Sequence, residues 1–259
     1  MTFSARYTEL GLVADLTDEV EAVWTSISDR AGSYRVLPDG RCDIILRFDA
    51  GQKPITDVTV VITGPITRAY DVAIEPGMGF VGVRIRPGCF ERIVGFEPAD
   101  LANANLIGAD ALSACPDLKM LCGAASDQNE LVARLTAFVR HRTAWSRLPP
   151  APLGRSVISA FHASGGRLRI SEVADMHAIS ERTVQRLVVK ATGLTPKAYA
   201  AVLQFHRALR LLRDHRLSPA SAALEAGFSD QAHMSRVFRR MGGFSPARLP
   251  DVTLVSLGD

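Results

Sequence analysis

The apolar positions of this chain change period partway along it. In the first part they alternate. Across residues 80–86, Val81, Val83 and Ile85 fall on one side of a predicted strand, with Gly82, Arg84 and Arg86 on the other. Residues 58–62 are a β-branched run, also read as a strand. Asp39-Gly40 lies between apolar segments at 34–37 and 42–46 and predicts a hairpin turn. Pro87-Gly88 stops the 80–86 strand, and the period then becomes helical, most clearly in Leu131, Leu135, Phe138 and Val139. Toward the C-terminus the spacing is helical throughout, with segments near 155–163, 171–177, 181–192, 197–214, 219–226 and 231–241. Pro196 and Pro219 each follow a Thr or Ser that can cap a helix whose first turn tolerates proline. The longest segment puts Tyr199, Val202, Phe205, Leu209 and Leu212 on one stripe. Arg207, Arg210 and Arg213 fall elsewhere and read as an exposed face. His206 reads as a packing or surface residue, and Phe161 and His162 as part of a short helix packed on the helices just C-terminal to it. The fold class is α+β: an N-terminal β-sheet or barrel with following helices, then an all-α C-terminal domain.

Charge sharpens that division. The 259 residues carry a net charge of only +3. Residues 1–150 hold 15 basic and 19 acidic residues, a net of −4, whereas residues 151–259 hold 15 and 8, a net of +7. A basic back on an acidic front points to an anionic partner for the back alone, nucleic acid or a membrane surface. The change coincides with residues 147–154, which contain three prolines and a glycine and read as a linker. The expected organisation is a sensor or dimerisation domain at 1–146, the linker at 147–154, a basic domain at 155–250 and a tail at 251–259. The longest uncharged stretch, residues 156–166, is 11 residues, too short for a membrane-spanning helix. The acidic N-terminus shows no secretory signal pattern. Four cysteines (Cys42, Cys89, Cys115 and Cys122) without a CxxC pair suggest reduced thiols in a cytoplasm, with Cys115 and Cys122 read as buried or free.

The basic half repeats itself. Ala174 begins a run through Ile179, Ser180, Val184, Arg186 and Val188. Ala223 begins another through Phe228, Asp230, Met234, Arg236 and Phe238, with one extra residue in its turn. Each has a small Ala on a short helix, a turn four residues later, a capping Ser or Asp, and a second helix with apolar anchors four apart. That is the pattern of a helix-turn-helix: the Ala permits close helix approach, the anchors bury one face, and the other face can enter a major groove about 12 Å wide. Two copies in one basic domain, joined by a long helix, strengthen the reading.

Residues 155–250 resemble the DNA-binding domain of the AraC/XylS family of transcription regulators. The resemblance is densest over residues 227–240 (GFSDQAHMSRVFRR) with the tail Gly243-Phe244-Ser245-Pro246, and over residues 180–187 with Gly193-Leu194-Thr195-Pro196. It implies two helix-turn-helix units on one linker helix, reading adjacent major grooves of double-stranded DNA. Residues 37–45, Gly64-Pro65 and residues 81–88 resemble the barrel-like N-terminal domain of many such regulators, whose ligand is generally unassigned. One departure is local: the family's first turn usually carries Leu-Gly, and this chain has His177-Ala178. A left-handed residue there costs about 1–2 kcal/mol without glycine, so the first turn is either strained or built differently. A second is Val188, where the family usually has a large aromatic.

The resemblance carries base-reading roles to Arg182, Gln185 and Arg186 in the first unit and to Gln231, His233 and Arg236 in the second. Ser180, Thr183, Ser235 and Arg239 suit phosphate contacts. Each arginine can instead be a solvated charge, and the repeat-equivalent Arg186 and Arg236 can be structural ion-pair donors. No catalytic residue, cofactor or metal site is expected. RNA polymerase, an unknown small-molecule effector and a homodimer through the front domain are candidate partners; a membrane is not. The alternative is an enzyme, such as an alkyl-acceptor repair protein, fused to this DNA-binding module. Against it, the front domain has a single histidine, His141, and cysteines without zinc-site spacing. Arg84 and Arg86 read as a solvated strand face, although a barrel turning them inward could hold an anion.

Overall fold

The computed structural model describes residues 7–11, 14–146 and 152–250. The first half is built on two antiparallel sheets. Its strands are β1 (Thr8–Leu10), β2 (Val20–Ile27), β3 (Gly32–Val36), β4 (Cys42–Asp49), β5 (Thr59–Thr63), β6 (Tyr70–Ile74), β7 (Met78–Ile85) and β8 (Asn105–Ile107). Six of them form a sheet in the order β1-β2-β7-β4-β5-β8, and β3 pairs with β6 alone. Alternation sorts the large sheet's two faces. Val81, Val83 and Ile85 of β7, Ile44, Leu46 and Phe48 of β4, and Val60 and Ile62 of β5 are buried together. They join Phe90 and Ile93 of α1 (Phe90–Val94), Ala111 of α2 (Ala109–Ala114), and Leu131, Leu135, Phe138 and Val139 of α3 (Gln128–Trp145) in one core. The opposite face, with Trp24, Asp43, Ile45, Phe80 and Arg84, looks across a cavity at Tyr34, Val36, Tyr70, Val72 and Ile74 of the small sheet.

Two expectations are corrected here. Asp39-Gly40 does not close a hairpin: β3 pairs with β6 and β4 with β5 and β7, so the two flanking segments lie in different sheets. Leu37 explains the departure, because its side chain is buried in the core of the C-terminal half and draws the connection away from its neighbour. Nor is Arg84 solvated. It is 2% exposed, with its guanidinium turned into the cavity toward Asp43 and Glu9, whereas Arg86 lies past the strand end and donates to the Thr17 carbonyl.

The second half is helical: α4 (Pro152–Ala163), α5 (Ile170–Met176), α6 (Glu181–Thr192), α7 (Pro196–Arg213), α8 (Pro219–Ala226) and α9 (Gln231–Gly242). Residues 147–151 of the expected linker and the whole 251–259 tail lie outside the described residues. Pro152 to Gly154, read as linker, already form the first turn of α4, where a missing amide hydrogen costs nothing. Tyr199, Val202, Phe205 and Leu209 of α7 run through the core as their spacing predicts, and Phe161 of α4 packs edge-on against Tyr199. His206, Val157, Val173 and Ala223 are buried around the same stripe.

Both helix-turn-helix units take the expected form, and the repeat shows how. Ile179 N donates to Ala174 O at 3.0 Å and Phe228 N to Ala223 O at 2.9 Å, so the turns leave α5 and α8 identically. The extra residue of the second copy is Ser229, between Phe228 and the cap. The left-handed residue falls at equivalent positions, Ala178 (φ 51) and Gly227 (φ 86). A Cβ on Gly227 would also approach Arg167 Cγ at 2.7 Å. The first turn is therefore the strained one of the two alternatives. Ala178→Gly is expected to stabilise the chain by about 1 kcal/mol, read as a melting temperature higher by about 2–4 °C. An unchanged or lower value would mean that Ala178 is not strained.

Candidate nucleic-acid interface

The two outward helices are α6 and α9, and each begins with a cap. Ser180 Oγ accepts from Thr183 N at 3.1 Å, and the two hydroxyls share a hydrogen bond at 2.9 Å. Asp230 Oδ1 accepts from His233 N at 2.6 Å. Their anchors are fully buried: Val184 and Val188 in α6, Met234 and Phe238 in α9. Phe238 packs on Phe205 and Phe244, whereas the smaller Val188 is buried in the same core as Val157 and Phe161.

Burying those anchors turns the other face outward. Arg182, Gln185 and Arg186 are exposed on α6, as are Gln231, Arg236 and Arg239 on α9; Ser235 is half-buried. Among the described residues Arg186 and Arg236 form no salt bridge, although Arg236, after the His233 amide and the Ser229 hydroxyl, helps hold the Asp230 carboxyl low. His233 is less available than the others: its ring lies edge-on to Phe228 and its Nδ1 shares a hydrogen bond with Ser229 Oγ at 3.2 Å. Thr183 is likewise engaged by its cap. Arg182, Thr183, Gln185 and Arg186 line one open groove, and the same groove takes in Lys190 and Glu97. Sequence reasoning passed over Lys190, although the spacing 182, 186, 190 continues the face. Glu97, from the front domain, carried no sequence signal.

The front domain holds both α6 and α9 by their C-terminal ends. Gly88 N donates to Ala191 O at 2.9 Å, and Ala69 N donates to Met241 O at 2.6 Å. Lys190 pairs with Glu91 at 3.4 Å. The linker helix is held as well. Arg41, 4% exposed, pairs with Glu21 through both nitrogens of its fork, at 2.5 and 2.8 Å, and its Nη1 donates to the Tyr199 hydroxyl at 3.1 Å. That hydroxyl, receiving from a group that can only donate, donates its own O–H to His162 Nε2, 2.5 Å away. His206 Nε2 donates to Pro38 O at 2.7 Å.

This seam makes stability depend on pH. Burial holds both imidazoles neutral. His162 is pushed down to about 3, helped by Arg41 and Arg210. His206 is pushed down to about 4, with Arg210 and Arg41 adding to burial and Asp39 and the Pro38 carbonyl opposing it. Above about 6.5 the histidines are neutral folded or unfolded, and they do not bias the balance. Below that, the unfolded chain takes up two protons that the folded chain refuses, so stability falls as pH drops toward about 4. Asp43 acts in the opposite sense. Burial pushes its carboxyl up to about 7 against the pull of Arg84, so the folded state takes up one proton first on acidification. Counting these three groups, the net is one proton, and they are expected to lower stability by about 1.4 kcal/mol per pH unit between about pH 6 and 5; below that, carboxylates held low by their partners, Glu130 among them, add to the fall. Urea unfolding across that range measures it. His206→Asn, which keeps a donor for Pro38, should flatten the slope; an unaltered slope would refute the assignment.

Comparison with known proteins places these parts. Residues 173–250 match the family described as a helix-turn-helix domain, and residues 13–106 match a domain of unknown function, DUF6597. The HTH-type transcriptional activator RhaS of Escherichia coli (strain K12 / DH10B) is 42% identical over 74 residues, 29% of this chain and 27% of that protein. The chain thus spans about a quarter of the length of the curated relatives it matches. A transcriptional regulator from Chromobacterium violaceum, described as AraC-type DNA-binding domain-containing, is 27% identical over 37% of this chain and 87% of its own, with a TM-score of 0.35. ToxT from Vibrio cholerae O395, bound to (E)-4-(8-methylnaphthalen-1-yl)but-3-enoic acid, is 8% identical over 95% of this chain and 97% of its own, with a TM-score of 0.45.

Proposed function

We propose that the chain, whose residues 173–250 match a helix-turn-helix domain, is a sequence-specific DNA-binding transcription regulator of the AraC type. It reads two adjacent major-groove segments of double-stranded DNA, one with α6 and one with α9. The observation that carries the reading is the pairing of buried anchors with an exposed Arg and Gln face, made twice on one linker helix. Arg182, Gln185, Arg186, Gln231 and Arg236 read base edges, with His233 released from Phe228 on contact. Ser180, Thr183, Ser235 and Arg239 hold phosphates.

The front domain modulates this reading, through a small molecule in its cavity or through self-association. Its seam supports that role, because it touches α6, α7 and α9 at once. RNA polymerase is the expected protein partner of a bound regulator. No described helix is long and apolar enough to cross a membrane. A non-enzymatic role is supported by the cysteines. Cys42, Cys89 and Cys115 are buried, and burial pushes their thiols up, away from the thiolate that an alkyl acceptor needs.

Selection of bound sequences from a random duplex pool with the purified chain tests the proposal. Two short conserved blocks, separated by about one helical turn, are expected. No enrichment at low salt would overturn it.

A further inference from the structure

The front domain meets α6 and α9 with different charge. At the C-terminal end of α6 it brings carboxylates. Lys190 is paired with Glu91 at 3.4 Å, and the exposed Glu97 stands in the groove that Arg182, Gln185 and Arg186 also line. At the C-terminal end of α9 it brings Ala69, with the exposed Arg68 beside it, and Arg35, which lies against Gly243 and is itself paired with Asp71 at 2.7 Å. The acid is thus free to act on the first unit and already neutralised at the second.

Backbone packing fixes the carboxylates in place. Gly88 N donates to Ala191 O at 2.9 Å, and a Cβ on Gly193, the left-handed C-cap of α6, would meet the Pro98 carbonyl carbon at 2.7 Å. Glycine at 193 therefore serves twice: it ends α6, and it lets Pro98 and Ala99 lie directly on that end. A helix with its side chains is about 10–12 Å across and the major groove about 12 Å wide, so a seated helix fills the groove and phosphates run along both its flanks. Glu91 and Glu97 stand on the flank of α6 that Lys190 marks. They repel phosphate there, and Glu91 takes the ammonium that would meet it.

We propose that this contact is autoinhibitory: the front domain, through Glu91 and Glu97, keeps α6 from seating in DNA, and α6 must leave Gly88 and Pro98 before it can read its block. The inference rests on reading α6 and α9 as the DNA-binding helices. It makes the two units unequal. Helix α9 meets no such barrier and engages first; whatever loosens the contact at α6 adds the second block.

Gly88 and Ala191 supply the test. An ideal Cβ on Gly88 lies 3.9 Å from the Ala191 Cβ, within the span of a disulfide. The full chain carrying Gly88→Cys and Ala191→Cys is oxidised, and the cross-link is verified by mass spectrometry. Affinity for a selected two-block duplex is measured by fluorescence anisotropy before and after reduction. The cross-linked chain is expected to bind at least about tenfold more weakly than the same chain reduced, because the cations of α6 are held from phosphate. Wild type taken through the same oxidation and reduction controls for the native cysteines. Charge gives a second arm that needs no cross-link. At about 50 mM salt Glu97→Gln should tighten binding about threefold, and Glu91→Gln with Glu97→Gln about tenfold. Asp57 is an exposed acid at the far end of β4, where Arg47 pairs with Thr59; the near end, Cys42, pairs with Ile85 close to the contact. Asp57→Asn removes the same single charge and should change affinity by less than about 1.5-fold. The proposal is overturned if the cross-linked chain binds as tightly as the reduced one, or if Glu97→Gln gains no more than Asp57→Asn. The reduced chain and the wild type report on DNA binding itself, so that reading and this one fail separately.

Discussion

Raising monovalent salt from about 50 to about 200 mM is expected to weaken binding to a selected duplex about a thousandfold, if some six basic side chains displace counterions. Arg182, Arg186 and Lys190 on α6 and Arg236, Arg239 and Arg240 on α9 are exposed and supply that number. Fluorescence anisotropy at several salt concentrations gives the slope. Substitutions then separate the roles. Arg239→Ala should weaken all sequences alike and lower the slope by about one. Arg236→Ala should cost about 1–3 kcal/mol on the preferred sequence and relax selectivity at one position. If the two variants behave identically, the division between positioning and reading is wrong. If salt has no effect, the basic face is not the DNA-binding face.

The second large effect lies at the seam. Arg41→Met is expected to destabilise the chain by about 3–5 kcal/mol, because it strands a charged carboxylate where water cannot reach. Glu21 is 8% exposed at its side chain and receives both forks of the guanidinium. Tyr199 would lose its donor at the same time. Adding Glu21→Gln should recover most of the loss, since a neutral amide costs less to bury than an orphaned charge. Urea unfolding of the wild type, both single variants and the double variant gives the coupling. A loss below about 1 kcal/mol would show that solvent reaches the pair, as it does for surface ion pairs.

How much could be read from the chain depends on the range of the interactions involved. The second half was legible almost helix by helix. Its caps, Ser180, Thr195, Ser218 and Asp230, lie within three residues of the amides they satisfy. Its anchors obey a period that any helix must obey. The alternation of Val81, Val83 and Ile85 was equally local and correct. The failures are long-range. Asp39-Gly40 has the residues of a hairpin, but strand pairing is decided by Leu37 finding a core about 120 or more residues away in sequence. Arg84 read as solvated because nothing local announces that β3 and β6 will cover it. The groove shared by α6 and Glu97 depends on how two halves meet, and no periodicity encodes that.

The three holds on α6, α7 and α9 have a thermodynamic consequence. Any occupant of the front domain that alters the seam changes the free energy of α6 and α9, the helices on which the proposed DNA contacts lie. Affinity for the two ligands is then linked, and linkage is reciprocal. An effector that tightens DNA binding by some factor must itself be held more tightly, by that factor, when the operator is bound; one that loosens it must be expelled in the same proportion. The effector could therefore be sought with the operator present, and operator DNA becomes a reagent for amplifying or suppressing a weak small-molecule signal.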